Sequence, residues 1–420
     1  MDGTGAVDRD QRYERLRRAI AGERLPCAVV DLGAFDRNVE RCLGRVRGSG
    51  KTLRPATKSL RVPDLIRRVL ERGGADCRGL LAYDAQEAAW LAARGFDDIL
   101  VAYPTVQEAD LRAVGEAVVA GRRVRLVVDS EAHLDAIAAA AGAAVGTGAA
   151  AGGPPPTFEV VVELDVSYRP LGGALHLGVR RSPLRTKEAV VALFGAARAR
   201  PGIEPVGILA YEAFVAGLAD DSPLGATLAP AVRWLKRRAA EAAARLRAET
   251  ATAVRAAGFT LALVNGGGTG SLAGTVRDPA VTEVTAGSAF LAPHLFDGYG
   301  GLGYEPAAFF ACPVARASDP GLVTCQGGGF AASGAAGPDR APRPWLPAGL
   351  ELLRHEGAGE VQTPLATGRC AVALRPGDPV FFRHAKAGEP ASHFDEYLLV
   401  ADDRVVGRAR TYRGCGLAFG

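Results

Sequence analysis

Between residues 52 and 291 the chain repeats one pattern eight times: a short apolar, β-branched run, then a longer stretch of helical character. The runs are TLRPAT (52–57), GLLAY (79–83), DILVAY (98–103), VRLVVD (124–129), FEVVVELDV (158–166), PVGILAY (205–211), LALVN (261–265) and TEVTAGSAF (282–290). They are apolar almost throughout rather than alternating, as strands of a parallel sheet are when helices cover it. Between them, VPDLIRRVLERG and DAQEAAWLAARG close on glycine, a common helix stop, and Asp84 and Ser130 stand where they would cap the following helices. Eight such units over roughly 240 residues predict a (β/α)8 TIM barrel, with a doubly wound sheet as the competing arrangement.

After about residue 300 the texture changes. PVARASD, LVTCQGGGF, GRCAVALRPGDPVFF and EYLLVADDRVVGRARTYR are short strands parted by Gly, Pro and Asp turns, which predicts a second, mainly β C-terminal domain. The early run LPCAVVDL (25–32) would be a ninth barrel strand, so it is assigned to that β domain. The expected division is a barrel over 34–300 and a β-rich domain formed by 1–33 and 301–420.

A net charge of +4 on 420 residues gives no footprint for nucleic acid or an anionic membrane. The most lipid-like stretch, AIAAAAGAAVGTGAAAGGPPP (136–156), lacks Leu and Phe and ends in three prolines, so it reads as a helix tail entering a loop. The first ten residues, MDGTGAVDRD, read as a frayed terminus. Seven cysteines without a C-x-x-C pair, and no secretory signal, point to a reducing cytoplasm.

In LRPATKSLRVP (53–63), Lys58 falls just past the first predicted strand. In a barrel that end carries the chemistry, and a lysine there is either a solvated loop charge or a nucleophile. VNGGGTGSL (264–272) follows the seventh strand, where barrels commonly hold phosphate. Gly266, Gly267 and Gly268 would let backbone N–H groups close round an anion, with Thr269 and Ser271 adding hydroxyls, although glycine-rich loops are also plain turns. A lysine amine and a phosphate cradle on one rim together fit pyridoxal 5′-phosphate (PLP), which carries both an aldehyde and a phosphate.

These segments resemble the alanine-racemase-like (fold type III) PLP enzymes, and within them the D-threonine aldolase and D-serine dehydratase-like family. LRPATKS is similar to that family's lysine motif, ELDVSYRPLGG to its strand and arginine segment, GILAYEAF to its tyrosine segment, and NGGGTGS to its phosphate loop. The resemblance implies a Schiff base on Lys58, Arg54 near the ring, and Arg169 at a cofactor or substrate oxygen, with Arg180 and Arg181 as competitors. It implies that Tyr211 lines the ring and that Asn265, Gly266, Gly267, Gly268, Thr269 and Ser288 bind the cofactor. A homodimer acting on an amino-acid substrate is also implied.

The chain departs from the family where Ala56 and Phe214 replace histidines. The family's β-domain metal pair aligns with His384 and Lys386, and an ammonium cannot ligate a metal. Either His384 recruits Glu389, His393 or Asp395 as a further ligand of a divalent metal, or Lys386 replaces the metal's charge and acts with His384 in catalysis. His355, Glu356 and Glu360 are candidates for a second proton-transfer group at the barrel mouth. The expected activity is a PLP-dependent lyase on β-hydroxy-D-amino acids, by retro-aldol cleavage or dehydration. Rival readings are a racemase or aldol-transfer enzyme, a PLP carrier, and a phosphate-binding barrel without PLP.

Overall fold

The computed structural model describes residues 3–147, 156–221, 226–317 and 319–419. The eight runs read from the sequence are eight parallel strands of one sheet: β2 (Thr52–Pro55), β3 (Leu80–Ala82), β4 (Ile99–Val101), β5 (Val124–Val128), β6 (Phe158–Glu163), β7 (Ile203–Leu209), β8 (Leu263–Gly266) and β9 (Glu283–Ala286). From β3 to β9 each strand pairs with the next in sequence, and β9 returns to β2, so the sheet curls on itself. Parallel bridges Leu53–Cys77 and Ala56–Leu81 draw β2 and β3 together and close the barrel. Helices Pro63–Gly73, Ala85–Ala93 and Glu131–Thr147 are three of its outer layer. Asp84 caps the second by accepting the Gln86 and Glu87 N–H groups, and Ser130 accepts the His133 N–H at the start of the third. The alanine-rich stretch opens inside helix Glu131–Thr147, and residues 148–155 lie outside those described.

The barrel floor is polar. Arg54 on β2 is 1 % exposed, and its guanidinium bonds both oxygens of Glu283 on β9 at 2.7 Å and Asp98 beside β4 at 3.1 Å. Arg125 reaches the same Asp98 carboxylate from β5. Burying one guanidinium without such partners would cost several kcal/mol, roughly the scale at which a buried charge destabilises a fold. Gly79 is required here: its φ is +62°, and a Cβ would fall 2.2 Å from Arg54 Nη1.

The second sheet is built round β1 (Cys27–Asp31), which lies between β10 (Ala308–Arg316), antiparallel, and β16 (Glu396–Ala401), parallel. Strand β11 (Leu322–Gln326) extends it through β14 (Gln362–Ala366) to β13 (Glu351–Leu352), and β17 (Arg404–Arg410) is the other edge. β15 (Pro379–Arg383) pairs with β10 and with β12 (Arg343–Leu346). Phe310 and Phe382, cross-strand partners, stack 5.2 Å apart in its core. The N-terminal reading needs correction: residues 3–10 are not frayed coil but open helix Gly3–Ala19. Tyr13 and Leu16 on that helix are fully buried against this sheet, which anchors it.

Candidate active site

β2 ends at Pro55, and the chain turns at once through a single 3-10 turn, Thr57–Ser59. The turn is held on every side. Thr57 Oγ1 donates to Leu81 O, Arg61 N donates to Thr57 O at 2.8 Å, and Tyr412 N of the β domain donates to Arg61 O at 3.0 Å. Arg61 takes φ +54°, a strained value for a side-chain-bearing residue, in a segment whose position is over-determined by these contacts. Lys58 therefore stands at the C-terminal mouth with its backbone fixed and its amine free to reach. Its Nζ donates to Tyr103 Oη at 2.8 Å.

Facing it across one cavity of about 720 Å³, open mouth included, is the loop after β8. Gly267, Gly268 and Thr269 line this cavity with Ser288, Tyr211 and Asn265. Gly267 has φ +90°, and a Cβ at Gly268 would meet the Tyr211 ring at 3.0 Å, so the loop's close approach to Tyr211 needs glycine. Glu212 organises the loop from beneath: it accepts the Gly267 N–H at 3.1 Å and the Thr275 hydroxyl, and pairs with Arg247 at 3.0 Å.

The geometry refines the glycine cradle. The amides of Gly267 and Gly268 are already given to Glu212 and Ser271, and Gly266 lies within β8 rather than on the cavity wall. Among the described residues, the N–H groups of Thr269, Gly270 and Ser288 have no protein acceptor. Thr269 Oγ1 accepts from Ala289 N, which leaves its hydroxyl proton to give. Asn265 donates to Glu283 and Thr285 and so ties the cavity to the polar floor.

Two arginines lie elsewhere than expected. Arg54 does not meet the cavity, because Glu283 and Asp98 draw its guanidinium toward the bottom of the barrel. Arg169 is held by Asp165 at 2.7 Å and by His176 at 2.9 Å, outside the cavity lining. Arg181 is the arginine on the wall, 5.5 Å over the Tyr103 ring. His355, Glu356 and Glu360 are exposed on a turn and line neither the cavity nor the cleft outside it.

Tyr103, Glu163 and Thr285 line the cavity and were not singled out from the sequence. Glu163 ends β6, a charged residue at the C-terminal end of a barrel strand, and that position was its signal. Burial, with Asp129 and Asp165 nearby, lifts its carboxyl to about 7 against the pull of Arg181. Burial would also lift the Tyr103 phenol, but the charge and hydrogen bond of Lys58, with Arg181, outweigh it and hold the phenol below its ordinary value.

Outside the cavity a wider cleft runs between barrel and β domain, lined by Lys58, Tyr211, His294, Arg343, Lys386 and Glu389 among others. Lys386 Nζ donates to Ser333 Oγ at 2.6 Å and pairs with Glu389 at 3.2 Å. His384 is not on this wall. It is 4 % exposed, its Nδ1 accepts the Lys386 N–H at 3.0 Å, and its ring lines a separate small apolar pocket with Tyr397. Among the described residues His384 Nε2 has no hydrogen-bond partner, yet the donor set a divalent metal needs does not assemble round it. Glu389 is engaged by Ser333 and Lys386, His393 packs at a tilt against the Phe330 ring at 4.7 Å, and Asp395 pairs with Arg413. Among the described residues no three His, Cys, Asp or Glu side chains group as ligands. A metal therefore does not fit this site.

Residues 30–289 match the model for the alanine racemase N-terminal domain. The chain is similar to a D-threonine aldolase of Arthrobacter sp (27% identical over 263 residues; 63% of this chain, 60% of the relative). It is also similar to a 3-hydroxy-D-aspartate aldolase of Paracoccus denitrificans (26% over 266 residues; 63% and 59%). It thus spans about three fifths of the length of these curated relatives. Two solved structures share the fold over 94% of this chain: a D-threonine aldolase from Filomicrobium marinum (TM-score 0.75, 20% identity, 97% of that chain) and a D-threo-3-hydroxyaspartate dehydratase from Delftia sp. HT23 (TM-score 0.71, 23% identity, 98% of that chain). With its barrel, its mouth lysine and its glycine loop in place, the chain belongs to the alanine racemase N-terminal domain family.

Proposed function

We propose that the chain is a PLP-dependent lyase acting on β-hydroxy-D-amino acids. One observation carries this: Lys58 and the Thr269 loop face each other across a single cavity at the C-terminal mouth of the barrel. The residues fit the cofactor, with an amine at one end, hydroxyls and amides that lack a protein acceptor among the described residues at the other, and Tyr211 with Ala56 and Leu81 as walls between. When bound, PLP would act as an electron sink for negative charge at the substrate α-carbon. The names of the relatives, an aldolase of D-threonine and an aldolase and a dehydratase of 3-hydroxyaspartate, support the substrate class.

The chain's own residues supply the rest. Lys58 would hold the aldehyde carbon and move the α-proton. Thr269 and Ser288 would take the phosphate, and Arg181 would reach a cofactor or substrate oxygen. Lys386 would place positive charge beside the β-oxygen from the outer cleft, with Ser333 and Glu389 fixing its amine and His384 fixing its backbone. We further propose a division into a barrel over 34–300 and a β domain of 1–33 and 301–420, a homodimer, and a cytoplasmic site of action. Among the described residues no helix is long and apolar enough to cross a membrane, and all seven cysteines are free.

The test is direct. Purified protein is expected to be yellow, and borohydride to fix a pyridoxyl group on Lys58, found by mass spectrometry. It is then expected to release an aldehyde or keto acid from D-threonine, D-serine or 3-hydroxy-D-aspartate, and to leave D-alanine unchanged. A colourless protein without the pyridoxyl-lysine would end the assignment. Racemised D-alanine would redirect it to the racemase reading.

A further inference from the structure

We propose that Tyr103 is the proton partner of Lys58: it takes the proton that the ammonium must lose before its nitrogen can attack an aldehyde, and returns it afterwards. This rests on the reading of Lys58 as the PLP attachment point. Tyr103 follows β4 at the cavity wall, and its Oη is 2.8 Å from Lys58 Nζ. No other hydrogen-bond partner of that amine occurs among the described residues.

The exchange balances without any further reactant. Lys58–NH3+ with Tyr103–O⁻ and Lys58–NH2 with Tyr103–OH differ only by one proton moved along the 2.8 Å contact, from Nζ to Oη. The proton can leave Nζ for Tyr103 only when that side chain is a phenolate. The surroundings favour that form. Lys58 itself and Arg181, over the Tyr103 ring, favour phenolate, and their combined effect exceeds the opposing burial and the charge of Glu163. Glu163 is in turn faced by Asp129, Asp165 and Arg181, and Tyr211 is the other phenol of the cavity. Tyr103 is thus a further catalytic residue, touching the reacting nitrogen.

The experiment uses full-length apoprotein and PLP alone. Attachment to Lys58 is followed by stopped-flow absorbance across pH and verified by borohydride fixation. Tyr103→Phe, checked for folding by circular dichroism, is expected to attach PLP at least about tenfold more slowly near neutral pH, with its pH midpoint about one unit higher. A variant matching the parent in rate and midpoint overturns the proposal. No attachment to Lys58 in the parent overturns instead the reading beneath it. A second measurement needs neither PLP nor that variant: tyrosinate absorbance of apoprotein against pH. In Lys58→Met one of the nine tyrosines is expected to titrate at higher pH than in the parent, and superimposable titrations overturn the pairing.

Discussion

The α-carbon of Gly388 lies against the carbonyl of Lys58, so closely that a Cβ at 388 would fall 1.8 Å from that oxygen. The φ of Gly388 is −90°, which any residue can adopt, so the glycine is demanded by space and not by torsion. The β-domain loop that carries Lys386 is thereby pressed on the turn that carries the proposed attachment lysine. Gly388→Ala must push the two apart. Overpacking of this kind costs about 1–3 kcal/mol, and denaturant melts should show it. Gly388→Ala is also expected to hold less PLP than the parent. Gly195→Ala, in helix Lys187–Arg198 with nothing within 4 Å, should instead stabilise by about 0.5–1 kcal/mol.

Arg54 tests the barrel floor. Replacing it by Met leaves Glu283 and Asp98 as buried carboxylates that have lost a shared partner. Breaking such a pair from one side costs about 3–5 kcal/mol, so Arg54→Met should unfold at much lower denaturant. If Arg54 contacted the cofactor instead, the variant would keep its stability and lose PLP affinity.

The eight strands were legible because each is buried on both faces, which leaves an apolar run with no alternation to misread. Lys58 was legible because it is the lysine at the end of such a run. Arg54 was misplaced for a reason of depth. It sits on the same strand a few residues earlier, and nothing in the letters LRPATK says that two acids from other strands draw its guanidinium downward. Arg169 was misplaced because Asp165, one helical turn's spacing before it, claims it within its own loop. Tyr103 was hidden inside DILVAY, where a terminal tyrosine reads as one more apolar residue of a strand. The metal departure was visible as Lys386, but the engagement of Glu389 by Ser333 depends on a loop some fifty residues away.

Glu163 gives a stability signature in apoprotein. Its folded value, about 7, lies above the ordinary 4.5, so between those values the native state binds more protons than the unfolded chain. Stability therefore falls as pH rises from about 4.5 to about 7 and then levels. Glu163→Gln removes the charge while keeping the shape. It should match the parent near pH 4.5 and exceed it above pH 7.5, by up to about 3 kcal/mol for a shift of this size. Melting both proteins across pH checks this, and parallel curves would mean that Glu163 ionises as freely folded as unfolded.

Lys386 separates the two ways of handling the β-oxygen. A metal site needs donors that are free to turn toward one point, and here Glu389 and Asp395 are each committed to another side chain while His393 packs at a tilt against Phe330. Chelation of the purified enzyme should accordingly change turnover of a β-hydroxy substrate by less than about twofold. Lys386→Met should lower kcat by about 10²–10³, the usual cost of removing one charged group from a developing oxyanion. PLP attachment should survive, since Lys386 lines the outer cleft and not the cavity. The substrate's KM should change little if the ammonium acts only as charge gathers on the oxygen. Turnover abolished by chelation and restored by a divalent metal would instead show that the loop rearranges to free Glu389 as a ligand, and the ammonium would lose its assigned part in the chemistry.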